Sequence, residues 1–412
     1  MQLYHDKPHS QGVENALKRA RQMVDLKWAP VALLPAGQNH DYTPEGVKSH
    51  DIFLPAYRPQ KGVGYSSVRI HEKYVGDNVL FETYLSALSN PRSIMYACPQ
   101  FGLGRFMWNY YGTVCSSFVA YALNLPVRVP CKHWAEIPGV TQVDVTELEN
   151  IRLGDVVLKY AFHITLITDI QRDVDGKVRL ITVSESETPF CVAKEYTPEQ
   201  FRGHWLANGY NVYRYAGIHD VPYTPDPFSP VEGDPPLECP AINTVIQPNF
   251  GNKANYMLGE TVELDVLEDG WTQVEIAGPE SVVLPVVNGK VEIVPKLPGY
   301  YTACCLRDGL QSETVQFRIT DLSVSGDRAV CKKDGLPELT FQVVSGDRAL
   351  GYIVHNMSHG WCAGGFLTDQ EVSDGKVAIT GKLAPGEYYA FVMAQGEYGR
   401  YRSPSVPFRV EE

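Results

Sequence analysis

The stretch LGDVVLKYAFHITLITDIQRDVDGKVRLITVSESET (153–188) reads as three successive β-strands and decides the fold of the first half of the chain. β-Branched and apolar residues dominate VVLKY, HITLITDI and VRLITVSES, and Val-Asp-Gly separates the last two runs as a turn. In HITLITDI the alternate set that begins at Ile164 is the more apolar and is expected to face the core. His163 therefore opens its strand on the less apolar face, near an end, where an imidazole is accessible.

The register of this hairpin decides which residue lies beside the histidine. A three-residue loop at 174–176 with its glycine in the left-handed conformation is a common hairpin geometry. It pairs Thr165 with Glu185 and places Glu185 diagonally beside the histidine on the same face. A two-residue Asp-Gly loop instead puts Ser184 or Ser186 there, because a slip of one residue exchanges the two faces of a strand.

A second informative stretch is YYGTVCSSFVAYALNL (110–125), in which apolar residues recur at helical spacing from Phe118 onwards. Cys115 falls where this helix is expected to begin. There a thiol meets the positive end of the helix dipole and unpaired backbone N–H groups, which favour the thiolate. The alternative is a buried cysteine that acts only as a small hydrophobe.

These residue types suit nucleophilic catalysis. Cys115 needs a base to populate its thiolate, and His163 can act as that base and later donate a proton to a leaving amine. An imidazole in this role needs a third group that fixes its tautomer and supports its positive charge, and Glu185 can supply it. Backbone N–H groups at the helix start can hold a tetrahedral oxyanion.

The chain as a whole divides into a mixed first part and a strand-rich second part. Helical patterns are predicted at 13–26 and 78–90, followed by the Cys115 helix. Residues 218–240 contain VPYTPDPFSPVEGDPPLECP, which is too rich in proline for a helix or a central strand and predicts a linker. The first domain is accordingly expected to span residues 1–217.

After residue 241 nearly every run is a short alternating strand bounded by Gly, Pro or Asp-Gly turns, the pattern of β-sandwiches. GKVEIVPKLPGYYTACCL (289–306) and GKVAITGKLAPGEYYAFVMA (375–394) share a strand, a proline corner and a tyrosine-rich strand. This repeat predicts two immunoglobulin-like domains, at 241–320 and 321–412. The predicted fold class is therefore α+β, a catalytic domain followed by two β-sandwiches.

Composition narrows the function classes. Over 412 residues, 36 basic and 48 acidic side chains give a formal charge of -12, which argues against nucleic acid as a partner. No segment approaches the ~20 apolar residues that span a bilayer, and the first twenty residues lack a signal-peptide core. A cytoplasmic protein and a mature secreted or cell-wall form both remain open. The nine cysteines show no metal-ligand spacing, so no metal site is expected.

Three motifs in order resemble the NlpC-type cell-wall peptidases, which belong with the papain-like cysteine hydrolases and are related to CHAP amidases. They are GTVCSSF (112–118), LGDVV (153–157) and HITL (163–166). The family has Cys-Ser-x-Phe at a helix start, Gly-Asp-Leu-Val before a strand, and His-Val at the next strand. The match covers roughly residues 105–190.

The resemblance implies a papain-like catalytic domain with Cys115 as nucleophile, His163 as general base and a polar third residue on the following strand. In CHAP-like members that third residue is an acid in a Val-x-Glu context, which Val183-Ser184-Glu185 resembles. The implied activity is hydrolysis of amide bonds in peptidoglycan stem peptides, with peptidoglycan or cell-wall peptide as the partner. The resemblance implies no metal and no organic cofactor.

One position departs from the family pattern. Many members carry aspartate immediately before the cysteine, where it holds the free amine of the substrate, and here that position is Val114. A different amide, a thioester or an ester therefore remains open as substrate, as does a small-molecule acyltransferase or a non-catalytic binding protein that uses its β-sandwiches. The candidate substrate-binding residues are Tyr65, Tyr111, Val114, Ser116, His133 and Trp134. The alternatives are that Tyr65 belongs to an ordered turn and that Tyr111 and Trp134 are packed in the core.

Overall fold

The computed structural model describes residues 2–43, 46–66, 74–97, 111–187, 190–223, 245–344, 346–357 and 360–412, with the backbone alone over 35–53 and at 97. Helices and strands alternate in the part that ends at residue 223. In chain order they are β1 (Tyr4–His5), α1 (Gln11–Asp25), β2 (Lys27–Trp28), β3 (Leu34–Thr43), β4 (Gly46–Leu54), β5 (Gln60–Lys61), α2 (Phe81–Ser89), α3 (Ile94–Ala97), α4 (Cys115–Ala122), β6 (Val140–Gln142), β7 (Val156–Lys159), β8 (His163–Arg172), β9 (Val178–Ser186), β10 (Cys191–Tyr196), α5 (Pro198–His204) and β11 (Asn211–Tyr215). Short 3-10 helices lie at Trp134–Glu136, Leu148–Asn150, Leu206–Asn208 and Ala216–Asp220.

An antiparallel sheet organises this part of the chain. Its strand order is β10-β9-β8-β7-β11-β6, and β1 pairs with β8. Helix α4 packs against β8 and β9 on one side and against α1 on the other. The helices predicted at 13–26, 78–90 and from Cys115 onwards correspond to α1, α2 and α4.

The strand-rich part contains two β-sandwiches. The first is built from β12 (Ile246–Pro248), β13 (Ala254–Met257), β14 (Val262–Val266), β15 (Gln273–Ala277), β16 (Val282–Pro285), β17 (Lys290–Ile293), β18 (Gly299–Arg307), β19 (Leu310–Gln311) and β20 (Val315–Thr320). The second is built from β21 (Ser323–Gly326), β22 (Val330–Lys332), β23 (Glu338–Gln342), β24 (Arg348–Asn356), β25 (Trp361–Phe366), α6 (Asp369–Asp374), β26 (Lys376–Ala378), β27 (Gly386–Gly396), β28 (Gly399–Arg402) and β29 (Val406–Glu411).

The two sandwiches have the same topology, which confirms the internal repeat. Each combines a three-stranded sheet with a six-stranded one, and in each the second strand pairs in parallel with the last. The repeated phrases occupy equivalent places, β17–β18 and β26–β27. Tyr301 donates its hydroxyl hydrogen to the carbonyl oxygen of Leu297 (2.8 Å), and Tyr388 does the same to Ala384 (2.7 Å). A tyrosine that bonds back to the backbone just upstream is a feature of immunoglobulin-like sandwiches.

The core is continuous across the two parts. Buried apolar side chains of the helices and the antiparallel sheet belong to one cluster with those of the first sandwich. The predicted linker, 218–240, begins inside the 3-10 helix Ala216–Asp220, and 224–240 lies outside the described residues. Within the described ranges no helix is long and apolar enough to cross a membrane.

Candidate active site

Cys115 is the first residue of α4, as the sequence predicts. Val114 precedes the helix in an extended conformation, and its N–H donates to Ser117 Oγ at 2.8 Å. The remaining helix, Ser116–Ala122, is buried, whereas Cys115 itself is half-buried. The thiol is therefore located where the helix dipole and the backbone N–H groups of the first turn favour negative charge.

The segment before the nucleophile is tied to the neighbouring backbone. Thr113 pairs with Tyr65 as an isolated parallel bridge, and Ser186 Oγ donates to the carbonyl oxygen of Thr113 at 2.8 Å. Gly112 lies so close to this chain that a Cβ atom there would be 2.3 Å from Ser66 Cβ. A glycine is required at this position because the two backbones approach too closely for a side chain.

The structure brings His163 and Glu185 together. His163 Nε2 lies 2.7 Å from Glu185 Oε2, and the two side chains are 19% and 4% exposed. The two alternatives on β9 have other partners, since Ser184 Oγ lies 2.7 Å from Thr168 Oγ1 and Ser186 bonds to the backbone before Cys115. Of the three candidates for the third position, Glu185 is the residue that contacts the imidazole.

The predicted register holds at the site although it fails in the middle of the hairpin. The turn has the expected left-handed Gly176, and Arg172 pairs with Val178. An extra residue on β9 then shifts the pairing by one, and an extra residue on β8, Thr168, shifts it back before Leu166 pairs with Ser184. His163 is partly exposed at the start of β8, as expected, whereas Thr165 and Ile167, which follow it on the same face, are fully buried.

Cys115 and His163 affect each other's pKa. Hydrogen bonds from Cys131 and His163, with the positive charge of His163, outweigh burial and hold the pKa of Cys115 well below its usual value. Burial lowers the pKa of His163, but hydrogen bonds to Cys115 and Glu185 and their negative charges raise it to about 9. Because Nε2 faces Glu185, Nδ1 is the ring nitrogen that remains for Cys115. The favoured state at neutral pH is thiolate and imidazolium.

Glu185 is itself held by a second cation. Lys194 Nζ lies 3.4 Å from Glu185 Oε1 and 2.6 Å from Glu187 Oε1. Although burial raises the pKa of Glu185, the hydrogen bond with His163 and the charge of Lys194 bring it below the usual value. Glu185 therefore stays ionised and supports the imidazolium. The sequence analysis does not single out Lys194. Val192 pairs with Glu185 across β9 and β10, and Lys194, two residues further along β10, therefore lies on the same face as Glu185.

A second thiol lies beside the nucleophile. Cys131 Sγ is 3.7 Å from Cys115 Sγ, and hydrogen bonding to Cys115 together with burial raises the pKa of Cys131. The sequence analysis did not identify this residue, because sixteen positions and a change of direction separate the two cysteines. All seven cysteines in the described residues are free thiols.

Aromatic rings surround the imidazole. The ring of Trp205 stacks on His163 at 6.3 Å between centroids, and Tyr210 approaches edge-on at 6.5 Å. Tyr65, a predicted cleft residue, lies near the nucleophile. Burial, followed by the negative charge of Cys115, raises the pKa of Tyr65, so its phenol stays neutral. The turn before His163 carries two exposed aromatic side chains, Tyr160 (74%) and Phe162 (70%).

Two of the predicted cleft residues are core residues instead. Tyr111 is 1% exposed, and its hydroxyl donates to the carbonyl oxygen of Phe250 in the first sandwich. Trp134 is fully buried, with its ring 6.4 Å from that of Tyr213. Neither side chain reaches solvent, so their assignment to a substrate cleft is wrong.

The remaining three candidates differ in position. The side chains of Val114 and Ser116 are buried, and Ser116 Oγ accepts from Arg128 Nη1 at 3.2 Å, so a substrate-binding role for these two residues stays a prediction. His133 is partly exposed, and its ring packs 4.4 Å from that of Trp361 in the second sandwich. No group of three or more histidine, cysteine or carboxylate side chains suited to a metal ion occurs in the described part of the chain.

Comparison with known proteins does not assign the chain to a family. No family model and no curated protein matches it. Among solved structures it is similar to the fibronectin(III)-like modules of Clostridium thermocellum CbhA, at 13% identity and a TM-score of 0.19 over 38% of this chain and 89% of that one. It is similar to murine CEACAM1b at 14% identity and a TM-score of 0.16, over 40% of this chain and 100% of that one. TM-scores this low carry no argument about fold or function.

Proposed function

We propose that the chain is a cysteine hydrolase, an amidase or endopeptidase of the NlpC type that cleaves amide bonds in peptidoglycan stem peptides. The proposal is supported by the grouping of three residues: Cys115 at a helix start, His163 close enough to lower the pKa of Cys115, and a buried Glu185 carboxylate 2.7 Å from His163 Nε2. In this proposal residues 1–217 form a papain-like α+β domain, in which α4 supplies the nucleophile and the antiparallel sheet supplies the other two residues.

The acylation half of the reaction follows from the charges of the pair. The Cys115 thiolate attacks the carbonyl carbon of the substrate and forms the carbon–sulfur bond of a tetrahedral intermediate. Backbone N–H groups at the start of α4 stabilise its oxyanion. The His163 imidazolium gives its proton to the leaving amine as the carbon–nitrogen bond breaks, which leaves a thioester on Cys115 and a neutral imidazole.

Deacylation reverses these roles. Neutral His163 takes a proton from a water molecule, which attacks the thioester carbon. The carbon–sulfur bond then breaks, the acid is released, and Cys115 returns as a thiolate beside imidazolium. Throughout the cycle Glu185 keeps the ring oriented through Nε2 and compensates its charge, as the acid of a catalytic triad does.

The nature of the substrate rests on the resemblance of the three motifs. Val114 changes the expected substrate, because a buried valine in place of aspartate cannot form an ion pair with a substrate ammonium group. This favours stem peptides whose nearest amine is already acylated. It is also the observation that favours the second candidate, an amidase or acyltransferase that acts on another small acyl substrate.

Mass spectrometry of defined muropeptides tests the proposal. Digests are incubated with the wild-type chain, with Cys115→Ala, and with Cys304→Ala as a matched control, since Cys304 is a half-buried thiol of the first sandwich. We expect new fragments with the wild type and the control and none with Cys115→Ala. The mass of the fragments identifies the bond. Absence of cleavage by all three proteins, together with an inert Cys115 thiol, would remove the catalytic proposal.

A further inference from the structure

We propose that Cys131 is a positioning residue for Cys115: its thiol donates a hydrogen bond to the Cys115 sulfur and stabilises that sulfur as a thiolate facing His163. The inference deepens the proposed function and rests on it for its role in catalysis. The carrying observation is the 3.7 Å separation of the two sulfur atoms. This distance is a hydrogen-bond distance for sulfur and is far longer than the roughly 2.05 Å of a disulfide.

The backbone around Cys131 is well anchored. The N–H of His133 donates to the carbonyl oxygen of Pro130 at 2.9 Å, which closes a turn around the cysteine. Trp134 follows at once and is fully buried, and it starts the 3-10 helix Trp134–Glu136. Cys131 therefore approaches the nucleophile from a segment outside α4, on a turn whose direction is fixed by a core side chain.

The two thiols have different environments, and this decides which is the donor. Cys115 is at the start of α4, and the nearby His163, whose Nε2 is taken by Glu185, lowers its pKa. Cys131 is not the first residue of a helix of any length. The proton therefore stays on Cys131, which agrees with its raised pKa. A thiol is a weak donor, so it stabilises the thiolate without burying the sulfur in strong hydrogen bonds that would reduce its reactivity.

Other charged and titratable groups also face the sulfur pair. His163 and Glu185 approach from the sheet, and the phenols of Tyr65 and Tyr210 lie close enough to be affected by the negative charge of Cys115. Burial, followed by these charges, raises the pKa of Tyr210 to about 12, and Tyr65 is raised as well, so neither phenol ionises in the range where Cys115 does. Arg128 lowers the pKa of Cys131 but does not reverse its rise. Of these groups, His163 is the one whose charge also supports the thiolate, and its raised pKa of about 9 keeps it protonated at neutral pH.

Alkylation of Cys115 by iodoacetamide tests the inference without any substrate. The rate is measured against pH by peptide mapping in the full-length wild type, in Cys131→Ala and in Cys131→Ser. We expect the apparent pKa of Cys115 to rise by about one unit in the alanine variant. At pH values below both the wild-type and the variant pKa, this lowers the thiolate fraction and slows alkylation about tenfold. The serine variant keeps a donor at the same place and is expected to retain most of the wild-type rate.

Superimposable profiles for the wild type and Cys131→Ala would overturn the inference. So would a serine variant that shifts as far as the alanine variant, because lost volume rather than the lost donor would then be the cause. Thermal unfolding of each variant shows that the fold is retained. The proposed reaction is tested separately. It fails if muropeptides are not cleaved and His163→Ala leaves the alkylation profile unchanged. The effect of the Cys131 variants on alkylation can still be measured in that case.

Discussion

Replacing Glu185 by glutamine tests the charge on the imidazole while keeping the contact. Glutamine retains an acceptor oxygen near His163 Nε2, where the carboxylate now lies at 2.7 Å. Hydrogen bonds to charged groups contribute about 1.5–3 kcal/mol and neutral ones about 0.5–1.5, so the change removes roughly 1–1.5 kcal/mol from the imidazolium. That corresponds to about one pKa unit. Lys194 keeps its contact with Glu187 at 2.6 Å, so the substitution does not leave that cation without a partner.

The sign of the effect follows from the direction of the His163 shift. Because its pKa is raised, the His163 ring stays protonated below about pH 9 and loses its charge above that pH. In Glu185→Gln we expect the alkaline limb of kcat/KM to move down by about one unit, with the acid limb unchanged, since the thiolate forms beside imidazolium in both proteins.

The measurement that needs no substrate is an NMR titration of His163, assigned by its absence in His163→Gln. Glu185→Ala is the companion variant, and it is expected to reduce kcat about a hundredfold or more because the ring loses its orienting acceptor. A His163 titration that is identical in wild type and Glu185→Gln would refute the charge-support role of Glu185.

Two further predictions concern other parts of the molecule. Arg400→Met removes a buried cation that faces Asp77 and also donates to the carbonyl oxygen of Leu125. We expect the free energy of unfolding in urea titrations to fall by about 3–5 kcal/mol. The double variant that also carries Asp77→Leu is expected to recover the part due to the uncompensated carboxylate, but not the part due to the Leu125 carbonyl. Phe162→Ala removes an exposed ring beside His163, so we expect the free energy of unfolding to change by less than about 0.5 kcal/mol. In the proposed reaction KM is expected to rise while kcat stays constant. An unchanged KM would show that this turn does not contact substrate.

Local patterns were sufficient to predict the elements of the site. Helical spacing placed Cys115 at the start of α4, and turn chemistry gave the left-handed Gly176. Register arithmetic then placed Glu185 beside His163, and the structure has that contact. The arithmetic assumed an uninterrupted ladder, however, and two bulges lie between the turn and the site. It reached the right residue because the extra residues are on opposite strands and cancel.

Long-range packing was not predictable from those patterns. Cys131 reaches Cys115 through a turn whose direction depends on the burial of Trp134, and no period in the sequence encodes that direction. The sequence leaves open whether Tyr111 shapes the site or only packs in the core. Its burial depends on the first sandwich, which accepts its hydroxyl hydrogen at Phe250.

The contacts of the sandwiches favour a structural role for them in the proposed reaction. Asn90, which follows α2, donates to Asp265 of the first sandwich at 2.7 Å, and both side chains are buried. On the second sandwich, Trp361 packs against His133, two residues after the cysteine that contacts the nucleophile. The buried contact between Asn90 and Asp265 fixes one arrangement, because breaking it leaves an unsatisfied polar group. Directly before α4, the Tyr111 hydroxyl donates to the carbonyl oxygen of Phe250 in the first sandwich. The strand-rich half therefore contacts both the residue range that leads into α4 and the turn at Cys131, the two places that position the Cys115 sulfur.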